Sequence, residues 1–239
     1  MNRHARHLAL AQVGEAGQAQ ISNASVLLIG VGGLGCAAAS YLASSGVGHI
    51  ILNDFDTVDE TNLGRQVLFG PGDVGKSKAA VAAARLSELN PDIRISVIDE
   101  RLDAAKLADV IADVDVVLDG SDNFATRFLV NDACVAAGRC LVSGSAIRLE
   151  GQVAVFGPNY DTSPCYRCLY EDADESLENC AGNGVLSPVP GVIGTMMAVE
   201  TLKQLIGLDS PRGRLQLYDA GDGGFRSVGI TKRAACPSC

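Results

Sequence analysis

Four of the chain's eight cysteines fall into two pairs, Cys165-Tyr-Arg-Cys168 and Cys236-Pro-Ser-Cys239. Each C-x-x-C offers two thiolates from one turn, and two such turns complete the four-sulfur tetrahedron that closes around Zn2+. A closed site leaves no coordination position for a substrate. This zinc would therefore staple the chain around residue 239 to the segment around residue 165, and would not catalyse. The competing explanation, one redox pair and one incidental pair, needs a coincidence of spacing. Cys36, Cys134 and Cys140 sit in apolar patterns and read as core thiols. Cys180 lies in the polar stretch Glu178-Asn-Cys-Ala-Gly182, where an exposed thiol is either a nucleophile or an ordinary loop residue.

A second set of residues points to phosphate chemistry. The apolar run Val26 to Ile29 leads into Gly30-Val31-Gly32-Gly33-Leu34-Gly35, then into an Ala-rich helical stretch, then into a second apolar run from His49 to Leu52. This is a strand-helix-strand unit with G-x-G-x-x-G at its first turn, where glycines let backbone N–H groups approach a phosphate. Asp54 lies about twenty residues on, where a carboxylate holds ribose hydroxyls. Asp122 follows a strand ending at Asp119 and suits Mg2+, which takes one or two carboxylates alongside phosphates and water. Arg65, Lys76 and Lys78 supply positive charge nearby. Gly70 to Ser77, GPGDVGKS, matches the Walker A pattern letter for letter. It follows a polar loop instead of a core strand, and Asp73 would put a carboxylate inside an anion cradle, so the match reads as chance. His4, His7 and His49 form no catalytic triad and there is no G-x-S-x-G, which leaves hydrolase chemistry unsupported.

These residues need elements to position them. Residues 3 to 20 read as an amphipathic helix preceding the nucleotide fold, and Asp56 to Arg65 is too rich in Asn, Asp and Thr for regular structure. A helix is expected from Gly75 to Leu89, ended by Asn90-Pro91. A strand follows from Ile93 to Ile98, a helix from Ala104 to Ala112, and a strand from Val114 to Leu118. The next helix runs to Gly138 with Ser121 or Asp122 as its N-cap, and Cys140 to Ser143 is a strand. This alternation implies an α/β fold, a Rossmann-like, doubly wound, mostly parallel sheet. Beyond it a strand is expected over Gln152 to Phe156, a helix over Pro190 to Ile206 apolar around most of its girth, and strands over Arg214 to Tyr218 and Phe225 to Ile230. The whole, 1–239, reads as one domain: a core over 25–145 and a zinc-stapled C-terminal elaboration over 151–239.

With 47% hydrophobic and 20% charged residues the chain reads as globular, and a net charge of −9 argues against a nucleic-acid surface. No run spans a bilayer and MNRHARH is no signal peptide, so no membrane partner and a cytoplasmic location are expected.

The motifs GVGGLG, NDFDTVDETNLGRQ, VGKSK, LDGSDN, RLEGQ, CYRCL, GVLSPVPGVIG and CPSC together resemble the ThiF/MoeB/HesA group over essentially the whole chain. These are bacterial relatives of ubiquitin-activating E1 enzymes, which use MgATP to adenylate the C-terminal glycine of a ubiquitin-like sulfur carrier. The resemblance implies ATP against Gly30, Gly32, Gly33 and Gly35, with Asp54 on the ribose. It places Asp56, Asn62, Arg65, Gln66 and Lys78 around the nucleotide, and Asp122 with Asn123 at the Mg2+. It makes Arg6, which matches an arginine reaching into a neighbouring subunit's site, a sign of a homodimer. It gives Cys180 the place of a loop cysteine used in sulfur transfer. The implied catalytic set is thus Arg6, Arg65, Lys78, Asp122 and Cys180.

The segments Ala146 to Gln152 and Cys36-Ala-Ala look more like the molybdopterin-synthase branch than the thiamine branch. The expected partner is a MoaD-like carrier ending in Gly-Gly, or else a ThiS-like or another carrier, with a sulfurtransferase or cysteine desulfurase as sulfur donor. Two other classes remain. An NAD-dependent oxidoreductase shares the glycine turn but leaves Arg65, Lys78 and Asp122 unexplained. A silent binding module would use the fold only to dock a ubiquitin-like protein; the start Arg3-His-Ala-Arg6-His7, altered from the group's Arg-Tyr-x-Arg-Gln, keeps it in play.

Overall fold

In a computed structural model, residues 3–171 and 183–239 are described. Cys180 and most of the acidic stretch around it lie outside the described residues. One eight-stranded sheet organises the rest, in the order β3-β2-β1-β4-β5-β6-β7-β8. Its strands are β1 (Ser25–Ile29), β2 (His49–Asn53), β3 (Arg94–Ile98), β4 (Val116–Asp119), β5 (Cys140–Ile147), β6 (Glu150–Phe156), β7 (Arg214–Asp219) and β8 (Gly224–Gly229). The first five are mutually parallel, and β6, β7 and β8 pair antiparallel beyond them.

The apolar runs of the central strands are continuous because both faces are covered. Val26 and Leu28 of β1, Ile50 and Leu52 of β2, and Val116 and Leu118 of β4 enter one core. Their neighbours Leu27, Ile29 and Val117 enter the other. The first core packs under α3 (Gly33–Ser45), α4 (Lys78–Leu89) and α8 (Pro188–Leu205), the second under α5 (Ala104–Ala112) and α6 (Phe124–Ala137). The short α7 (Tyr166–Leu169) packs on α6.

Several boundaries differ from expectation, each for a physical reason. The N-terminal segment is two helices, α1 (Ala5–Leu8) and α2 (Gly14–Asn23); Gly14, at φ +54°, breaks the run. The helix expected from Gly75 begins at Lys78, because residues 75–78 are already hydrogen-bonded across to 56–58: Val58 N–H to Lys76 O (2.8 Å), Gly75 N–H to Val58 O (2.8 Å), Lys78 N–H to Asp56 O (3.0 Å). The segment Asp56 to Arg65 is correspondingly ordered, with a 3-10 turn at Glu60–Asn62. The cap of α6 is Asn123, whose Oδ1 accepts the Thr126 N–H at 2.9 Å, and neither Ser121 nor Asp122. Helix α8 buries one face, and Val199 on it is half exposed. Its Gly194 lies so close to α3 that a Cβ there would overlap the Leu34 carbonyl oxygen. No helix among the described residues is long and apolar enough to cross a membrane.

Candidate nucleotide site and cysteine cluster

The strand order reverses between β1 and β4, the place where doubly wound sheets bind ligands at their strand C-termini. A cavity of about 410 Å3 opens there. The glycine turn forms its floor. Gly30 takes φ +82°, a left-handed conformation that favours glycine. Gly32 and Gly33 line the cavity, but Gly35 does not: it lies against the Gly30 carbonyl, where a Cβ would collide. The third glycine therefore serves helix packing.

Asp54, Asp56, Asn62, Arg65, Gln66, Lys78, Asp122 and Asn123 all line the cavity. Burial raises the pKa of Asp54, while hydrogen bonds from Asp56 N–H (2.9 Å) and Val31 N–H (2.7 Å) oppose the shift. Lys78 is brought in by the zippered segment: it opens α4 with Ser77 as N-cap, and its Nζ lies 3.1 Å from Asp56 Oδ2. Its side chain is only 9% exposed. Asn62 is held by a capping box with Asp59, and Arg65 leans on the same turn through Nη1 to Thr61 O at 3.0 Å. Asp122 is exposed, and within the described residues its carboxylate takes a long 3.4 Å contact from Asn123 Nδ2. Gln66 Oε1 and Ser121 Oγ are buried at the cavity wall without a hydrogen-bond partner among the described residues. Asp119 Oδ2, at the end of β4, is likewise buried without a partner among the described residues. Buried polar atoms are as a rule satisfied, so Gln66 and Ser121, with Lys78, Arg65 and the glycine N–H groups, fit a polyanionic ligand and a hydrated Mg2+.

The Walker-like segment is elsewhere. None of residues 70–77 lines the cavity. Asp73 itself accepts the Gly70 N–H at 3.0 Å and pairs with Lys76 (3.4 Å) and Arg85 (3.6 Å), so the chain's own carboxylate fills the would-be cradle. Arg6 is exposed on α1 and does not line the cavity of its own chain. His49 sits at the opposite end of the sheet, between Ser25 Oγ (3.0 Å) and Ser96 Oγ (2.9 Å).

Three other wall residues fall outside the expected set. Arg101 lies 4.3 Å over the Phe55 ring at the cavity, Arg127 enters from α6, and Pro190 of α8 faces Gly33. Arg101 lies three residues past the end of β3 and could have been found from its place near a strand C-terminus. Arg127 and Pro190 arrive only through tertiary packing.

The four paired cysteines converge. The sulfurs of Cys165, Cys168, Cys236 and Cys239 all lie within 4.8 Å of one another, with Cys165–Cys236 and Cys168–Cys239 each at 3.5 Å. These separations are too long for disulfides and bracket the edge of about 3.8 Å that a tetrahedron with Zn–S bonds of about 2.3 Å requires. None of the four is in a disulfide. Burial acts against the Cys236 thiolate, but hydrogen bonds from the backbone N–H groups of Ser238 and Cys239 and from the Cys165 and Cys239 side chains together lower its pKa to about 6. Burial instead raises Cys165. The donor set and its spacing fit zinc. One residue of α6 clamps both turns: Asp132 accepts Arg167 Nε and Nη2, each at 2.8 Å, and Ser238 Oγ. The core cysteines Cys36, Cys134 and Cys140 are buried as expected.

Comparison with known proteins agrees with this geometry. The family model described as ThiF family matches residues 4–238. The chain is 42% identical over 237 residues to the "Sulfur carrier protein ThiS adenylyltransferase" of Escherichia coli (strain K12), covering 99% of this chain and 94% of that protein. It is 46% identical over 241 residues to "Adenylyltransferase and sulfurtransferase MOCS3" of Sus scrofa, covering 99% of this chain and 52% of that protein. The chain thus spans about half the length of the MOCS3 relatives. Among solved structures, E. coli MccB with ATP superposes with a TM-score of 0.86 at 27% identity, over 100% of this chain and 73% of that one. With its switch-point cavity, its cysteine cluster and a family match along nearly its full length, the chain belongs to the ThiF family.

Proposed function

We propose that this adenylyltransferase binds MgATP in the switch-point cavity and joins AMP to the C-terminal carboxylate of a ubiquitin-like sulfur carrier. The observation that carries the reading is the convergence of Lys78, Arg65 and Asp122 on the glycine turn, beside Gln66 Oε1 and Ser121 Oγ, which have no partner among the described residues. An oxidoreductase would have no use for that set. A carrier carboxylate oxygen attacks the α-phosphorus of ATP, the bond from that phosphorus to the bridging oxygen breaks, and pyrophosphate leaves. Two anions must meet, so the chain's task is electrostatic. Lys78 and Arg65 offset the repulsion at the phosphates, and Asp54 fixes the ribose so that the α-phosphorus faces the entering carboxylate. Asp122 and Asn123 would hold Mg2+, which supplies further charge neutralisation when bound.

The carrier is assigned as MoaD-like, since the hairpin segment Ala146 to Gln152 carries that branch's pattern. Names from both branches occur among the relatives, so a ThiS-like carrier is the second reading. Arg6 acts in the site of a second copy in a homodimer, Cys180 serves in sulfur transfer after adenylation, and a separate sulfurtransferase or cysteine desulfurase supplies the sulfur. Zinc at the four cysteines is structural. The test is ATP–pyrophosphate exchange with each carrier in turn. Exchange that needs the carrier's terminal glycine supports the reading. Exchange unaltered by deleting that glycine, or none with any carrier, overturns it.

A further inference from the structure

The wall of the cavity that carries Asp122 is tied to the cysteine cluster by a chain of buried and partly buried hydrogen bonds. Arg127, 3% exposed on α6, forks onto one acceptor: its Nη2 and Nε donate to the Ser121 carbonyl at 2.7 and 3.2 Å. Its Nη1 donates to the Tyr166 hydroxyl at 3.3 Å. Tyr166 is the residue after the first cluster cysteine, and its own N–H donates to Asn131 Oδ1 at 2.7 Å. The loop above is braced from the other side, since Asp119 Oδ1 accepts the Ser121 N–H at 3.0 Å. Ser121 is thus gripped at its carbonyl and its N–H, and Asp122 is the next residue along.

We infer that Arg127 and Tyr166 are positioning residues for the magnesium ligand Asp122, transmitting the geometry of the cysteine turn to the nucleotide site. The inference rests on the reading of the cavity as an MgATP site. Asp122 is exposed and, among the described residues, its carboxylate takes only the long contact from Asn123, so its place is set by its backbone. That backbone is fixed by the two-pronged bond from Arg127. A guanidinium can make this fork and still reach Tyr166; an ammonium cannot. Tyr166 does not line the cavity; among the described residues its hydroxyl is linked to the cavity wall through Arg127. Its ring packs edge-on to Phe128 and Phe156, so removing the hydroxyl alone leaves the packing in place.

The experiment measures ATP binding by titration calorimetry, with and without Mg2+, in full-length zinc-loaded protein. Wild type is compared with Tyr166→Phe and Arg127→Lys, and zinc content is measured for each. The expected result for Tyr166→Phe is full zinc content, ATP affinity without Mg2+ within about twofold of wild type, and a half-saturating Mg2+ concentration raised about fivefold or more. Arg127→Lys should raise it further. A merely structural role would change metal-free and metal-dependent binding together. If Tyr166→Phe titrates with Mg2+ as wild type does, the inference is wrong, whether or not Arg127→Lys folds. If wild-type protein binds ATP with no Mg2+ dependence, the magnesium reading itself fails and takes the inference with it.

Discussion

The two lysines on either side of Ser77 separate two phosphate-binding schemes, and the structure sets the size of the difference. Lys78 is nearly buried at the cavity, whereas the Lys76 side chain is 60% exposed and occupied with Asp73. A unit charge about 4 Å from a phosphate oxygen interacts at roughly 4 kcal/mol for an effective dielectric near 20. Lost hydration reduces that to about 2.5–3 kcal/mol for a charged hydrogen bond. Replacing Lys78 with methionine should therefore lower kcat/KM for ATP–pyrophosphate exchange by roughly a hundredfold. Folding should suffer much less, about 1 kcal/mol or below, because Asp56 is 57% exposed and rehydrates when its partner is removed. Lys76→Met should stay within about threefold of wild type. The assay is carrier-dependent exchange of labelled pyrophosphate into ATP, with thermal melts as a control for folding. A hundredfold loss in Lys76→Met with Lys78→Met near wild type would refute the reasoning and restore the Walker scheme.

Stripping zinc should lower the melting temperature by about 10 °C. Joining residues 71 apart removes about 4 kcal/mol of unfolded-chain entropy, and a melt unmoved by chelation of a zinc-bearing protein would contradict this. If Asp54 holds the ribose as a carboxylate, as proposed, MgATP affinity should weaken on acidification starting above the ordinary aspartate range, because burial raises its pKa. The sign for stability is opposite: a raised carboxyl pKa stabilises the free fold at low pH, and that contribution fades as pH rises through the raised value. Calorimetric titration against pH, with Asp54→Asn losing the dependence, checks both the direction and the residue. Cys180→Ala should leave pyrophosphate exchange intact and stop sulfur transfer; loss of exchange with ATP binding preserved would place the thiol before the adenylate.

What could be seen in the sequence was what chemistry or burial repeats locally. Val26 to Ile29 and Val116 to Leu118 announced central strands because both their faces are covered, and the C-x-x-C pairs announced a cluster because sulfur ligands come at fixed spacing. The start of α4 was misplaced because residues 75–78 spend their hydrogen bonds on 56–58, a partner no local pattern reveals. The cap at Asn123 was missed because Ser121, Asp122 and Asn123 are all competent caps, and only tertiary placement selects one. Arg127 and Asp132 lay on one helix with nothing to mark them, since their acceptors and donors come from loops that the fold brings over α6.

The close approach of backbones around the glycine turn bears on how relatives of this chain can be told apart. An added methyl group at Gly35 would meet the Gly30 carbonyl, one at Gly194 the Leu34 carbonyl, and one at Gly33 would come within 2.8 Å of Pro190. These positions lock a turn and two crossing helices together, and none of the three obstacles is a flexible side chain. A descendant that had lost every trace of catalysis would still be bound to keep them, because even alanine would pry its layers apart. Retained glycines therefore testify to ancestry and architecture. Lys78 and Asp122 are under no such steric obligation, so a pseudoenzyme would betray itself there first.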